Sequence, residues 1–315
     1  MCNGRYAMKF SQFIFFCLFI GVWSGPKDQR PILCVHGWQD NGNSFKTLIP
    51  HLPGNYSYLA IDLPGHGLSS HIYKGLFYRI MEYISVLRRI QHFYNWPKIS
   101  LIGHSYGSAM SFLFSSLFPK DVDFFIAIDL LKPTSWNSSK DFKNASKDIE
   151  KMLKNDVLSN TKSPVYDRTE LIERYVKGSH KSLTRKSAEI LLERGSREVD
   201  EGLYRYTRDV KLKTLLKPYF SQNELLNLSK RIECSVLFIK AEQSPFFESK
   251  ENVESVMEVL QKNAKLFEYH VLPGTHHLHI NTPEIVAPVI NSFLIKSGIN
   301  IESFKLLQND VVEND

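Results

Sequence analysis

The stretch "SLIGHSYGSAMSF", residues 100–112, sets Ser105 between Gly103 and Gly107, where an apolar run (Ile99, Leu101, Ile102) meets a small-residue segment. A surface turn would account for the glycines alone. A strained strand-to-helix turn that lifts a serine hydroxyl to the sheet edge accounts for the glycines, the serine and the flanks together. Gly103 and Gly107 are then small because strand and helix backbones pass too closely for side chains.

Outward from this turn, apolar runs ending in glycine or polar punctuation recur at "PILCVHGW" (31–38), "SYLAIDLPGHG" (57–67), "VDFFIAIDLL" (122–131), "CSVLFIKA" (234–241) and "AKLFEYHVLPG" (264–274). Between them lie helical patterns. "FKTLIPHL" (45–52) reads as a short amphipathic helix. Residues 76–95 place Ile80, Ile84, Leu87 and Ile90 on one face, with Arg88, Arg89 and Gln91 outward. "PEIVAPVINSFLIKSG" (283–298) closes the pattern. Strand, turn and helix in alternation predict an α/β fold with a mostly parallel central sheet flanked by helices. From 131 to 232 the chain is polar and helical in pattern, lacks strand runs, and carries 22 Lys/Arg against 14 Asp/Glu. It reads as a helical cap inserted after the sixth strand. The expected core is then 1–130 with 233–303, followed by an acidic tail, 304–315.

Hydrophobic residues at 43% allow a sizeable core in 315 residues, and the net charge of +6 has no basic run behind it, so no nucleic acid partner is expected. No phosphate-cradling glycine motif appears, and Cys2, Cys17, Cys34 and Cys234 lack metal-ligand spacing. No cofactor is expected. "MKFSQFIFFCLFIGVWSG" (8–25) reads either as a signal peptide cleaved after Ser24 or as a pair of buried strands within Phe13 to Trp23. About 25–30 residues ahead of the third strand are needed for a first hairpin. Cleavage would strip it and expose a sheet edge. That favours an intracellular chain, or one associated with a membrane through this apolar segment. The sequons at Asn55, Asn137, Asn144 and Asn227 bear only on a secreted protein.

A serine hydroxyl becomes a nucleophile when a base takes its proton and a carboxylate orients the base. "VLPGTHHLHINTPE" (271–284) offers His276 first after a Pro-Gly turn, with His277 and His279 as rivals. Three histidines also raise a metal, but H-H-x-H has no acidic residue nearby in sequence, and none is expected. For the acid, Asp129 ends the strand after the nucleophile's helix, giving the order Ser, Asp, His. Glu242 is the alternative; Ser244 occupies the more common acid position, after the next strand. The developing oxyanion needs two donors, for which the amides of Tyr106 and Trp38 are candidates. Gly37 lets that backbone approach and His36 braces the loop. In "DLPGHGLSS" (62–70), Asp62 and Ser69 are expected as hydrogen-bonding braces, with Gly65 and Gly67 turning the chain.

Taken together, "HGWQDN", "IDLPGHGLSSH" and "LIGHSYGS" resemble the α/β-hydrolase superfamily, and within it the serine hydrolase-like (kraken-type) family. "LLERGSREVDEGLYRYTRD" resembles that family's cap and "LPGTHHLH" its histidine loop. The resemblance spans about residues 20 to 295. It implies a nucleophile at Ser105, a base at His276 and an acid after the sixth strand, here Asp129. Two positions depart from the pattern: Tyr106 and Ser108 stand where small or Met and Gly residues are usual, which tightens the elbow's surroundings. The expected activity is hydrolysis of an ester or related acyl bond in a small-molecule substrate. A thioesterase or carbon–carbon bond hydrolase would use the same triad, and a non-catalytic binding protein is the alternative of another class.

Overall fold

The computed structural model describes residues 5–8, 19–136, 138–157, 164–215 and 219–298. The chain runs through β1 (Arg5–Met8), β2 (Phe19–Ser24), β3 (Ile32–Val35), β4 (Tyr58–Asp62), α1 (Ile80–Phe93), β5 (Ile99–His104), α2 (Tyr106–Leu117) and β6 (Val122–Ile128). It continues through α3 (Ser138–Val157), β7 (Tyr166–Asp167), α4 (Arg168–Gly178), α5 (Arg185–Gly195), β8 (Ser196–Asp200), β9 (Leu203–Tyr206) and α6 (Gln222–Ser229). β10 (Ser235–Ala241), α7 (Lys250–Asn263), β11 (Phe267–Leu272), α8 (Leu278–Asn281) and α9 (Pro283–Ser297) complete it.

Eight strands form one sheet in the order β1-β2-β4-β3-β5-β6-β10-β11. β2 runs antiparallel to β1 and β4; every other pairing is parallel. The central parallel strands β3, β5 and β6 are largely apolar because both faces are covered, whereas the edge strand β11 is half-exposed. Successive side chains point to opposite faces. Leu33, Val35, Leu101, Phe125 and Phe238 pack on one side with Ile84 and Leu87 of α1 and Phe112 of α2. Cys34, Ile102, Phe124, Ile126 and Ile239 pack on the other with Ile290 and Phe293 of α9. Burial of each such side chain contributes about 1.5–3 kcal/mol.

Four local readings change. "FKTLIPHL" holds no α-helix but the last residue of one 3-10 turn, Gly42–Phe45, and the whole of a second, Ile49–His51, where Pro50 supplies no backbone donor. Gln91 is buried rather than outward: its amide donates to the Trp96 carbonyl at 3.2 Å and its Oε1 accepts from Arg88 at 2.8 Å. The stretch between β6 and β10 contains strands after all, a three-stranded antiparallel sheet ordered β7-β9-β8. Its charged faces are solvent-exposed or half-buried, so no apolar run marked it. At the N-terminus, β2 begins at Phe19 and its partner is "RYAM", ahead of the apolar run; residues 13–18 lie outside the described residues. No helix among the described residues is long and apolar enough to cross a membrane.

The segment between β6 and β10 is fastened to the sheet by polar contacts. Arg194 of α5 reaches Asp62, at the end of β4, with Nη2 to Oδ2 at 2.6 Å. Asp62 is fully buried and also accepts from the amides of Gly42 (2.7 Å) and Leu68 (2.8 Å). Gly67, at φ +53°, wraps this carboxylate so tightly that a Cβ would collide with it. Ser69 donates to the Asp62 carbonyl at 2.7 Å, as expected of a brace.

Candidate active site

Ser105 sits between β5 and α2 with φ 51° and ψ −116°, a conformation sparsely populated for a residue with a side chain. The packing explains why the chain tolerates it. A Cβ on Gly103 would lie 2.5 Å from the Gly107 carbonyl carbon, and one on Gly107 would land on the Val35 carbonyl oxygen. Helix and strand are thus in backbone contact on both sides of the serine. The turn is pinned by the Ser105 amide donating to Ile128 O (2.9 Å) and by Ser108 Oγ donating to Gly103 O (2.7 Å).

His276 arrives on the loop after β11. Its Nε2 lies 2.9 Å from Ser105 Oγ, and its Nδ1 lies 2.6 Å from Asp129 Oδ2. Since a carboxylate only accepts, the His276 proton sits on Nδ1 and its Nε2 lone pair faces the serine. Burial lowers the His276 pKa below the ordinary 6.5, against the opposing pull of Asp129. Asp129 follows β6, at φ 57°, almost fully buried. Its Oδ1 accepts from Lys240 Nζ (2.6 Å) and the Ala241 amide (2.8 Å), and its Oδ2 also accepts from Ser244 Oγ (2.5 Å). Burial pushes the Asp129 pKa up, but the hydrogen bonds from His276, Lys240 and Ser244 prevail and hold it below the ordinary range. Glu242 is exposed, and its amide is spent on Leu272 O.

The structure therefore brings Ser105, His276 and Asp129 together and leaves Glu242 outside. The sequence reading missed Lys240 and, having named Ser244, missed its role as a donor to Asp129. Lys240 was legible as the one charged residue inside the apolar strand "SVLFIKA". Ser244, at the position where an acid is more common, serves as a donor to Asp129.

Trp38 and Tyr106 border the same serine. The Gln39 amide donates to His66 Nε2 (3.1 Å) and the Asp40 amide to Gly37 O (3.2 Å), whereas the Trp38 and Tyr106 amides carry no such bond among the described residues. A Cβ on Gly37 would sit 3.2 Å from Ser105 Cβ, so only glycine lets this loop close on the elbow without a neighbour giving way. His36 braces it: Nδ1 lies 2.7 Å from Gly37 O and Nε2 accepts from the Leu63 amide at 3.1 Å. The Trp38 indole stacks edge-on against Tyr106 (5.2 Å) and donates to Leu212 O (2.9 Å), tying the loop to the segment between β6 and β10. His277 and His279 turn away from the serine. His277 Nδ1 meets Ser182 Oγ and His279 Nε2 meets Ser44 Oγ, each at 2.7 Å. The expectation of no acidic partner near these histidines fails, because the fold brings in a carboxylate from a distant loop. Asp40 Oδ2 lies 3.3 Å from His277 Nε2.

Such a sheet, with a serine elbow after β5, defines a class, and the family model described as "alpha/beta hydrolase fold" matches residues 30–283. Similarity narrows this further. The chain is 38% identical to the Drosophila melanogaster "Probable serine hydrolase" over 86% of this chain and 83% of that one. It is 33% identical to the Homo sapiens "Serine hydrolase-like protein 2" over 87% and 88%. Among solved structures, the hypothetical protein PA1622 from Pseudomonas aeruginosa PAO1 superposes with a TM-score of 0.80 at 28% identity, covering 92% of this chain and 99% of that one. The chain belongs to the α/β-hydrolase family, among its serine hydrolase-like proteins.

Proposed function

We propose that this protein hydrolyses an ester or closely related acyl bond through an acyl-enzyme formed on Ser105. The observation that carries the proposal is the unbroken relay from Ser105 Oγ through both nitrogens of His276 to Asp129. Ser105 Oγ attacks the acyl carbon while its proton passes to His276 Nε2. The imidazolium so formed lies against the Asp129 carboxylate, which stays ionised. The oxygen of the tetrahedral intermediate takes its negative charge between the Trp38 and Tyr106 amides. His276 then returns the proton to the leaving alcohol. A water, deprotonated by His276, releases the acid and restores Ser105.

Trp38 and Tyr106 also wall the elbow with aromatic surface, next to Tyr83 at 6.1 Å from Tyr106. The test is steady-state hydrolysis of p-nitrophenyl esters of graded acyl length by wild type, Ser105→Ala and His276→Ala. Turnover confined to the wild type is expected; equal turnover by Ser105→Ala would overturn the proposal.

A further inference from the structure

Asp40, His104 and His277 meet in the protein interior, exposed by 6%, 0% and 6%. They come from three separate places in the chain: the loop after β3, the last residue of β5 and the loop after β11. Asp40 Oδ2 lies 3.4 Å from His104 Nδ1 and 3.3 Å from His277 Nε2, and all three atoms fall within 4.8 Å of one another. Asp40 Oδ2 and His104 Nδ1 are buried without a hydrogen-bond partner among the described residues.

The surroundings fix which imidazole nitrogens carry protons. His104 Nε2 faces the His276 carbonyl at 3.0 Å, and a carbonyl can only accept, so the proton is on Nε2. Ser182 Oγ donates to Ser179 O at 2.7 Å and is left to accept from His277 Nδ1. The nitrogen that each ring leaves uncommitted, His104 Nδ1 and His277 Nε2, therefore faces the Asp40 oxygen. A carboxylate buried in this way costs free energy unless positive charge meets it, and a metal ion would meet all three atoms at once.

We propose that Asp40, His104 and His277 bind a divalent transition-metal ion of the zinc type, a site separate from the Ser105–His276 pair. Zinc bonds nitrogen and carboxylate oxygen at about 2.0–2.2 Å, so adjacent ligands of a tetrahedral ion lie roughly 3.4 Å apart. The two measured edges are 3.3 and 3.4 Å. Two imidazoles and a carboxylate suit zinc or cobalt, and three protein ligands leave a fourth position for water. Each histidine's second nitrogen is already held by a hydrogen bond, the orientation that metal-binding imidazoles require. Gly37 keeps the space open: a Cβ there would lie 2.9 Å from His104 Nδ1 and 3.1 Å from Asp40 Oδ2. The His279 ring packs on His104, with centroids 4.1 Å apart, and closes one side. The ion would join the loop after β3, the end of β5 and the loop after β11.

The experiment uses the untagged full-length chain, stripped with chelator and dialysed against zinc or cobalt. One ion per chain is expected by elemental analysis, with the strong visible bands of tetrahedral cobalt in the cobalt form. Zinc at a hundredfold excess over Kd should raise the melting temperature by about 4 °C. Asp40→Asn and His277→Gln should each lose the ion and the shift, and Ser105→Ala should keep both. Circular dichroism of the metal-free variants checks folding, and the stoichiometry and cobalt spectrum of the wild type stand without any variant. A wild type that holds no stoichiometric metal, or folded Asp40→Asn and His277→Gln that bind it as the wild type does, would overturn the proposal.

Discussion

Asp129→Asn replaces one oxygen by an amide nitrogen at nearly constant shape, and the surroundings dictate how the new side chain sits. Oδ1 accepts from both Lys240 Nζ (2.6 Å) and the Ala241 amide (2.8 Å), so the asparagine oxygen must take that place. Its NH2 then points at His276 Nδ1, where Oδ2 stood at 2.6 Å. The reverse orientation would set two donors against the amide hydrogens, at about 1–3 kcal/mol for each. His276 must instead move its proton to Nε2, which turns an N–H toward Ser105 and removes the base. In Ser-His-Asp proteases the same change lowers kcat on the order of 10⁴-fold, or about 5 kcal/mol of barrier. We expect a similar loss here in the rate of fluorophosphonate capture.

Stability changes as well, because Lys240, 4% exposed, loses its counter-charge. Breaking a buried pair costs about 3–5 kcal/mol against a total of about 5–15. Asp129→Asn with Lys240→Met removes the stranded cation. This double variant should regain the melting temperature and remain slow. A folded Asp129→Asn protein whose capture rate stays within tenfold of wild type would refute the assignment of Asp129.

Burial lowers the His276 pKa, so kcat/KM should stay level on acidification through pH 6.5 and fall only below it; an acid limb centred above 6.5 would contradict the buried setting. Arg194→Met strands the buried Asp62 carboxylate, with a loss of about 3–5 kcal/mol in urea unfolding, partly offset by the Gly42 and Leu68 amides that Asp62 retains. Ser244→Ala removes one of several donors to Asp129, so kcat should drop about tenfold to a hundredfold, the worth of one hydrogen bond to a charged group. Gly107→Ala drives a methyl group into the Val35 carbonyl and should abolish capture together with the folded circular-dichroism signal.

How far the sequence revealed this arrangement follows from the range over which each contact acts. Ser105 was legible because the elbow is local: strand, two glycines and helix lie within one short run. His276 was legible because a Pro-Gly turn after a strand announces a loop. Asp129 was favoured over Glu242 from the end of an apolar strand and from the resemblance, and the reason for the preference is visible only in three dimensions. There Lys240, Ser244 and His276 converge on one carboxylate and leave the other exposed. Arg194 with Asp62, and Asp40 with His277, join residues from distant parts of the chain, and no period or motif links them. The β7-β9-β8 sheet escaped because its strands are short and charged, without the apolar alternation that marks a half-buried strand.

The central claim is that Ser105 is an activated nucleophile. Its most direct measurement is intact-mass and peptide mapping of the full-length protein after brief exposure to a fluorophosphonate. One adduct per chain, located on the peptide containing Ser105 and absent from a folded Ser105→Ala variant, is the predicted result. A folded wild type that takes up no adduct, or carries it on another residue, would contradict the account.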